Sequence, residues 1–280
     1  MGTATVDKRL PTIAVWLAIA LLAGECFPHS ARAAARSPGG PPVEIMSGDL
    51  CVVVFTLFVD LKTVASWLPS GFVLAEECPF PQHPVIVLYG TQENLMRQRR
   101  IAWALCWGRN YLETFVAVPY LKLAQCPERP PVLHFVRVYL NNWPATIKGM
   151  RRFGWPKLCT HMESCACGYR IFSGCGEKIF DARAGHSEAE PLRGKNESFS
   201  QIRQMLSQPM VLKRDACFEA HAFDLHWDEA CVLSVRTHVQ MREGFMPGLP
   251  ATEISVAGIN EGDYGAFHLN TRFTSVIVPY

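Results

Sequence analysis

The sequence predicts a β-rich α+β fold. Three observations carry this. Many short runs are rich in Val, Ile, Phe, Tyr and Thr, few stretches show helical spacing, and strands do not alternate with long helices as a doubly wound parallel sheet requires.

Val52–Phe58 is strand-like through its β-branched and aromatic content. Asp60–Leu68 sets Leu61, Val64, Ala65 and Leu68 at helical spacing, and Pro69-Ser70-Gly71 ends the helix. Pro79–Pro84 reads as a loop. Val85–Tyr89, Ile101–Trp107, Glu113–Val118 and Leu133–Leu140 follow as strands. Trp143–Arg152 carries a pattern too short to assign to helix or strand. The second half gives strands at Thr160–Cys167, Tyr169–Ser173 and Lys178–Ala182, a polar loop at Glu188–Ser200, and strands at Gln208–Lys213, Val232–Val239 and Phe273–Val278.

The N-terminus reads as a targeting segment. Lys8 and Arg9 precede the uncharged run Leu10–Gly24, and Ala31-Arg32-Ala33 has the small-x-small form of a processing site. This predicts a signal peptide over residues 1–33, a flexible lead-in over 34–42 and one folded domain over 43–280. The apolar run is shorter than the ~20 residues of a comfortable span, so no membrane contact is expected after cleavage. The predicted destination is the secretory pathway or the exterior; the Ala/Arg-rich stretch 31–36 leaves an organelle lumen as the alternative. About 245 residues remain, enough for one sizeable core, and a homo-oligomer is left open.

A net charge of +2 with 19% charged residues and no basic patch excludes a nucleic-acid partner. Eleven cysteines are many, and loss of Cys26 with the leader leaves ten, so bridged pairs are expected in an oxidising compartment. Cys159, His161, Cys165, Cys167 and Cys175 contain no Cys-x₂-Cys pair; disulfides or buried thiols are favoured there and no metal is expected. Cys217, His221, His226 and Asp228 lack the local signature of a thiol hydrolase. Asn196-Glu197-Ser198 is a glycosylation sequon, which makes Asn196 a candidate modification site.

The stretch 111–158 carries the chemistry. It holds Tyr111-Leu112-Glu113 followed by an apolar strand and Pro119, then Tyr139-Leu140-Asn141-Asn142-Trp143-Pro144-Ala145, then Gly149-Met150-Arg151-Arg152-Phe153-Gly154-Trp155-Pro156-Lys157. In order and spacing this resembles the acetoacetate decarboxylase family, and Ser275–Pro279 is similar to that family's last strand. The resemblance implies a closed, cone-shaped antiparallel β-barrel with a lysine inside. It also implies a cofactor-free Schiff-base lyase acting on a small keto acid or related carbonyl compound.

Lys157 then stands as the nucleophile and Glu113 as a positioning or proton-handling group, with Trp155 and Val138 as apolar lining. A lysine near its ordinary pKa of ~10.4 is protonated at neutrality and cannot attack a carbonyl. Burial lowers that pKa and frees the amine, an effect for which this family is the known example. The sequence also departs from the family. The early arginine is absent from Gly48-Asp49-Leu50-Cys51, a second glutamate is absent from Val85–Tyr89, and Leu158 replaces a second lysine. These losses support an alternative, a catalytically lapsed barrel that binds a hydrophobic carbonyl ligand or lipid.

Overall fold

The computed structural model describes residues 43–278 except 77, 79, 97–109, 144, 147–149, 151–153, 166–167, 186–191, 194–199, 215–216 and 261–263. All belong to one compact unit, Pro41–Tyr280.

The strands, in chain order, are β1 (Val43–Val59), β2 (Phe72–Leu74), β3 (His83–Met96), β4 (Tyr111–Leu123), β5 (Val132–Leu140), β6 (Lys157–Cys159), β7 (Met162–Cys165) and β8 (Gly168–Phe172). They continue as β9 (Lys178–Gly185), β10 (Leu192–Arg193), β11 (Met210–Arg214), β12 (Cys217–Asp224), β13 (Cys231–Ser234), β14 (Arg236–Met241), β15 (Thr252–Val256) and β16 (Phe267–Val278). Short helices accompany them, among the described residues α1 (Leu61–Trp67) and α2 (Ser200–Leu206). Asp60 caps α1 by accepting from the Thr63 backbone N–H at 2.8 Å.

In the larger sheet, β1, β3, β4, β5, β11, β12 and β16 pair in that order, and β16 pairs back onto β1. The pairing therefore makes a circuit. Its lightest join is β5 to β11, where Leu133 opposite Met210 is the one parallel register pair. The rest of that edge of β5 belongs to β6, with Val138 opposite Lys157. The strand bearing Lys157 and β11 thus divide one edge of β5, which forks there.

Alternation along the strands sends side chains to two separate cores. Leu50, Val52 and Val54 of β1 join Ile86, Leu88, Phe135, Met210 and Leu269 in one cluster, and α2 adds Ile202, Met205 and Leu206. Because strands from around the circuit meet in this cluster, we call its side the inner face. Val53 and Phe55 point the other way, with Val87, Tyr89 and Val116, against Ile171, Phe180 and Val239 of a second sheet ordered β15-β14-β9-β8-β7 and against Phe245 of the turn that follows β14. Gly90 lets β1 and β3 approach closely: a Cβ there would stand 2.7 Å from the Val52 Cα.

The structure confirms the β-rich character and corrects several elements. Val232–Val239 is not one strand. It divides into β13 and β14, which belong to different sheets. The loop expected at Glu188–Ser200 contains β10 and the first residue of α2, and the loop expected at Pro79–Pro84 gives its last two residues to β3. Trp143, Ala145 and Thr146 are helical. The strand expected at Ile101–Trp107 and the sequon at Asn196 lie outside the described residues. None of Cys51, Cys78, Cys126, Cys159, Cys165, Cys175 and Cys231 is in a disulfide, so the expected bridging is not met among them. Cys159, Cys165, Cys175 and Cys231 are also exposed.

Candidate active site

Lys157 opens β6 immediately after Gly154-Trp155-Pro156. Its backbone N–H donates to the Trp155 carbonyl at 2.8 Å, and the Val138 N–H donates to the Pro156 carbonyl at 3.0 Å. These bonds clamp the segment against β5 and turn the Lys157 side chain to the inner face, where it is 4% exposed. Leu158, in the place of the family's second lysine, points the opposite way and is 41% exposed.

Glu113 comes from β4, on the same face, and its Oε1 lies 4.0 Å from the Lys157 Nζ. Gln92 of β3 donates to the other carboxylate oxygen. The Tyr111 hydroxyl donates in turn to the Gln92 carbonyl oxygen at 2.8 Å. All three side chains are buried. The Tyr111–Gln92–Glu113 relay fixes the carboxylate by its far oxygen and leaves Oε1 toward the amine.

The electrostatics follow from burial. Two opposite charges 4 Å apart attract by about 4 kcal/mol at an effective dielectric of 20, whereas desolvation costs several kcal/mol for each ion. Burial accordingly wins at both ends. It pushes the Lys157 pKa down, with Glu113 opposing, and pushes the Glu113 pKa up, with Lys157 and Gln92 opposing. The same burial raises the Tyr111 hydroxyl well above its usual range, so it remains a donor. The Trp155 ring lies beside the amine, its centroid 4.3 Å from Nζ.

Sequence reasoning named Lys157, Glu113, Trp155 and Val138, and the fold brings all four together. Val138 is fully buried beside the lysine as its register partner. Gln92 was missed. The signal was the period-two series Ile86, Leu88, Gly90, Gln92, which continues the inner face of β3 beyond the expected end at Tyr89. At the early stretch lacking arginine, the inward positions are Gly48 and Leu50. Leu95 and Phe273 crowd Gly48, whose Cβ would lie 2.8 Å from Leu95 Cδ2. The second grouping is not assembled as one site: His226 bonds the Thr274 hydroxyl at 3.0 Å, whereas His221 bonds Glu219 at 2.7 Å. Arg151 and Arg152 lie outside the described residues. A surface depression of about 480 Å³ beside α2, lined by Ser200, Arg203, Gln204, Ser207 and Trp227, includes none of the four site residues.

No protein-family model and no curated protein matches the chain. Solved structures do. The enduracididine biosynthesis enzyme MppR, complexed with the condensation product of pyruvate and imidazole 4-carboxaldehyde, aligns with a TM-score of 0.55 at 14% identity, over 99% of this chain and 96% of that one. Acetoacetate decarboxylase from Legionella pneumophila aligns with a TM-score of 0.55 at 10% identity, over 100% and 98%. An acetoacetate decarboxylase-like enzyme from Sphingomonas wittichii RW1 gives 0.53 at 9%, over 84% and 91%. The chain therefore shares the β-rich fold of acetoacetate decarboxylase and its structural relatives, the family that the motifs around Glu113 and Lys157 resemble.

Proposed function

We propose that the chain is a cofactor-free Schiff-base lyase acting on a small keto acid or related carbonyl compound. The observation that carries this is one lysine and one carboxylate, 4.0 Å apart on the inner face, each buried and each displaced by burial toward its neutral form. In this reading the strand circuit is the closed, cone-shaped barrel implied by the family resemblance. Its wall supplies the apolar surroundings that keep the Lys157 amine free to attack.

The neutral amine adds to the carbonyl carbon. The carbonyl oxygen leaves as water, and the resulting iminium draws electrons from a bond at the neighbouring carbon. Glu113, held by Gln92 and Tyr111, orients the bound compound and exchanges a proton with it. Trp155 and Val138 shape the apolar wall next to the nitrogen. The signal peptide over 1–33, a mature start near Ala34, export and glycosylation at Asn196 complete the proposal. N-terminal sequencing of the exported protein checks the start, and finding Met1 retained on a cytosolic product would remove this part.

Borohydride reduction in the presence of pyruvate or acetone tests the chemistry, because it converts an imine into a stable secondary amine. Mass spectrometry should place the adduct on Lys157, and Lys157→Arg should abolish it. Pyruvate is the first probe because MppR has been solved complexed with it. The crowded apolar space beside Gly48, where the family's arginine is missing, favours a second reading, a barrel that binds a hydrophobic carbonyl ligand or lipid without turnover. Reversible binding of such a ligand with no reducible adduct would select it.

A further inference from the structure

Beyond Glu113, a second titratable pair faces the same cluster. On β12, Glu219 and His221 lie opposite Leu212 and Met210 of β11, and register partners in an antiparallel ladder share a face. Leu212 and Met210 both belong to the inner cluster, and so does Phe223, the next residue of that face of β12. Ala220, between them in sequence, and Phe218, just before Glu219, pack on the outer side. His221 and Glu219 are therefore turned inward, toward the side that holds Lys157.

The two sites meet at one side chain. The Trp155 ring lies 4.3 Å from the Lys157 Nζ and, edge to face, 6.2 Å between centroids from the His221 imidazole. His221 is fully buried, whereas Glu219 retains 29% side-chain exposure. Glu219 Oε1 stands 2.7 Å from His221 Nε2. A carboxylate only accepts, so Nε2 carries the hydrogen and Nδ1 holds the lone pair of the neutral ring. A carboxylate on one ring nitrogen fixes the tautomer and stabilises the imidazolium that forms when the other nitrogen takes a proton.

We propose that His221, oriented by Glu219, takes and returns the α-proton of a carbonyl compound held as an iminium on Lys157; this rests on the Schiff-base reading above. The His221 lone pair accepts the proton from the α-carbon. The electrons of that C–H bond become the carbon–carbon double bond of an enamine, and the π pair of the C=N bond moves onto the lysine nitrogen. Reprotonation at carbon reverses each movement. Glu113 remains the group nearest the nitrogen, and His221 serves the carbon. The proton cycle needs no oxidant, reductant or second substrate.

The test uses the full chain with pyruvate in deuterium oxide. Exchange of the methyl protons is followed by NMR, and the adduct on Lys157 is measured in parallel by borohydride reduction. Wild type should do both. His221→Gln should still form the adduct while exchange falls about 10²-fold or more, and Glu219→Gln, a near-isosteric change at a partly exposed carboxylate, should give an intermediate loss. A role confined to packing would lower adduct and exchange together. Exchange at the wild-type rate in either variant, with the adduct intact, overturns the assignment and leaves the lyase reading standing. Absence of any adduct in wild type removes both. Should His221→Gln not fold, Glu219→Gln decides by the same two readouts.

Discussion

Two buried polar neighbourhoods lie back to back on β4, and they are built on opposite principles. On the outer side, the Tyr169 hydroxyl accepts from Thr114 at 3.2 Å and donates to the Glu113 carbonyl at 3.0 Å, while the Tyr89 hydroxyl pairs with Thr237 at 2.9 Å. These are neutral groups with neutral partners, and they lose little when water is excluded. On the inner side, at similar depth, stand an amine and a carboxylate, groups that lose several kcal/mol each as ions. Adjacent residues of one strand, Glu113 and Thr114, serve the two designs. The hydroxyl network stabilises, and in the ionisable pair burial pushes both groups toward their neutral forms.

The largest expected effect lies on the outer side. Phe180 is fully buried and stacks on Phe245 with centroids 4.8 Å apart. Phe180→Ala should cost about 3–5 kcal/mol in denaturant unfolding and leave adduct formation on Lys157 intact well below the midpoint. Loss of the adduct in the folded variant would merge the two regions into one.

The inner pair should behave in the opposite way. Lys157→Met removes the adduct and leaves the Glu113 carboxyl buried without its cation, at a cost of about 1–3 kcal/mol. Adding Glu113→Leu should recover that stability, because a buried ion pair exchanged for apolar groups is often neutral or stabilising. A double variant less stable than both singles would show the pair to be structural.

A smaller effect links the regions. Tyr169→Phe deletes the bond to the Glu113 carbonyl and should cost about 1 kcal/mol, with a modest slowing of turnover as β4 loses its rear anchor. Finest of all is a pH shift. The Glu113 charge raises the Lys157 pKa against the dominant lowering by burial. Glu113→Gln should lower that pKa further, so the free amine, and with it adduct formation, should persist to more acid pH. A midpoint displaced toward alkali would contradict the sign.

The sequence was most legible where one face of a strand dominates. Lys157 and Glu113 stand forty-four positions apart in a recognisable order, and the fold sets them 4.0 Å from each other. Gln92 was hidden because Gly90 interrupts the apolar run of β3, although the alternation continues through it. β12 escaped for a related reason: in Phe218-Glu219-Ala220-His221 the polar residues face inward and the apolar ones outward, the inverse of the usual pattern. β13 and β14 looked continuous because one residue, Val235, separates strands that pass from one sheet to the other. Periodicity reports exposure to water, and along His83–Tyr89 of β3 both faces are dry.

The divided edge of β5 has a consequence for how this wall breathes. Between β5 and β11 the main-chain ladder is minimal, and the His134 ring adds a stitch by donating from Nδ1 to the Val211 carbonyl at 3.1 Å. Burial pushes that imidazole's pKa down, against the bond to Val211, and so favours its neutral state. A seam with few bonds opens at lower free energy than the long ladder between β1 and β3. Amide hydrogens along the β5–β11 fork should therefore exchange ahead of those on β1. Lys157 rides on β6, the other strand on that edge of β5, so its amine belongs to the hem of the wall, where thermal opening first admits solvent and solutes.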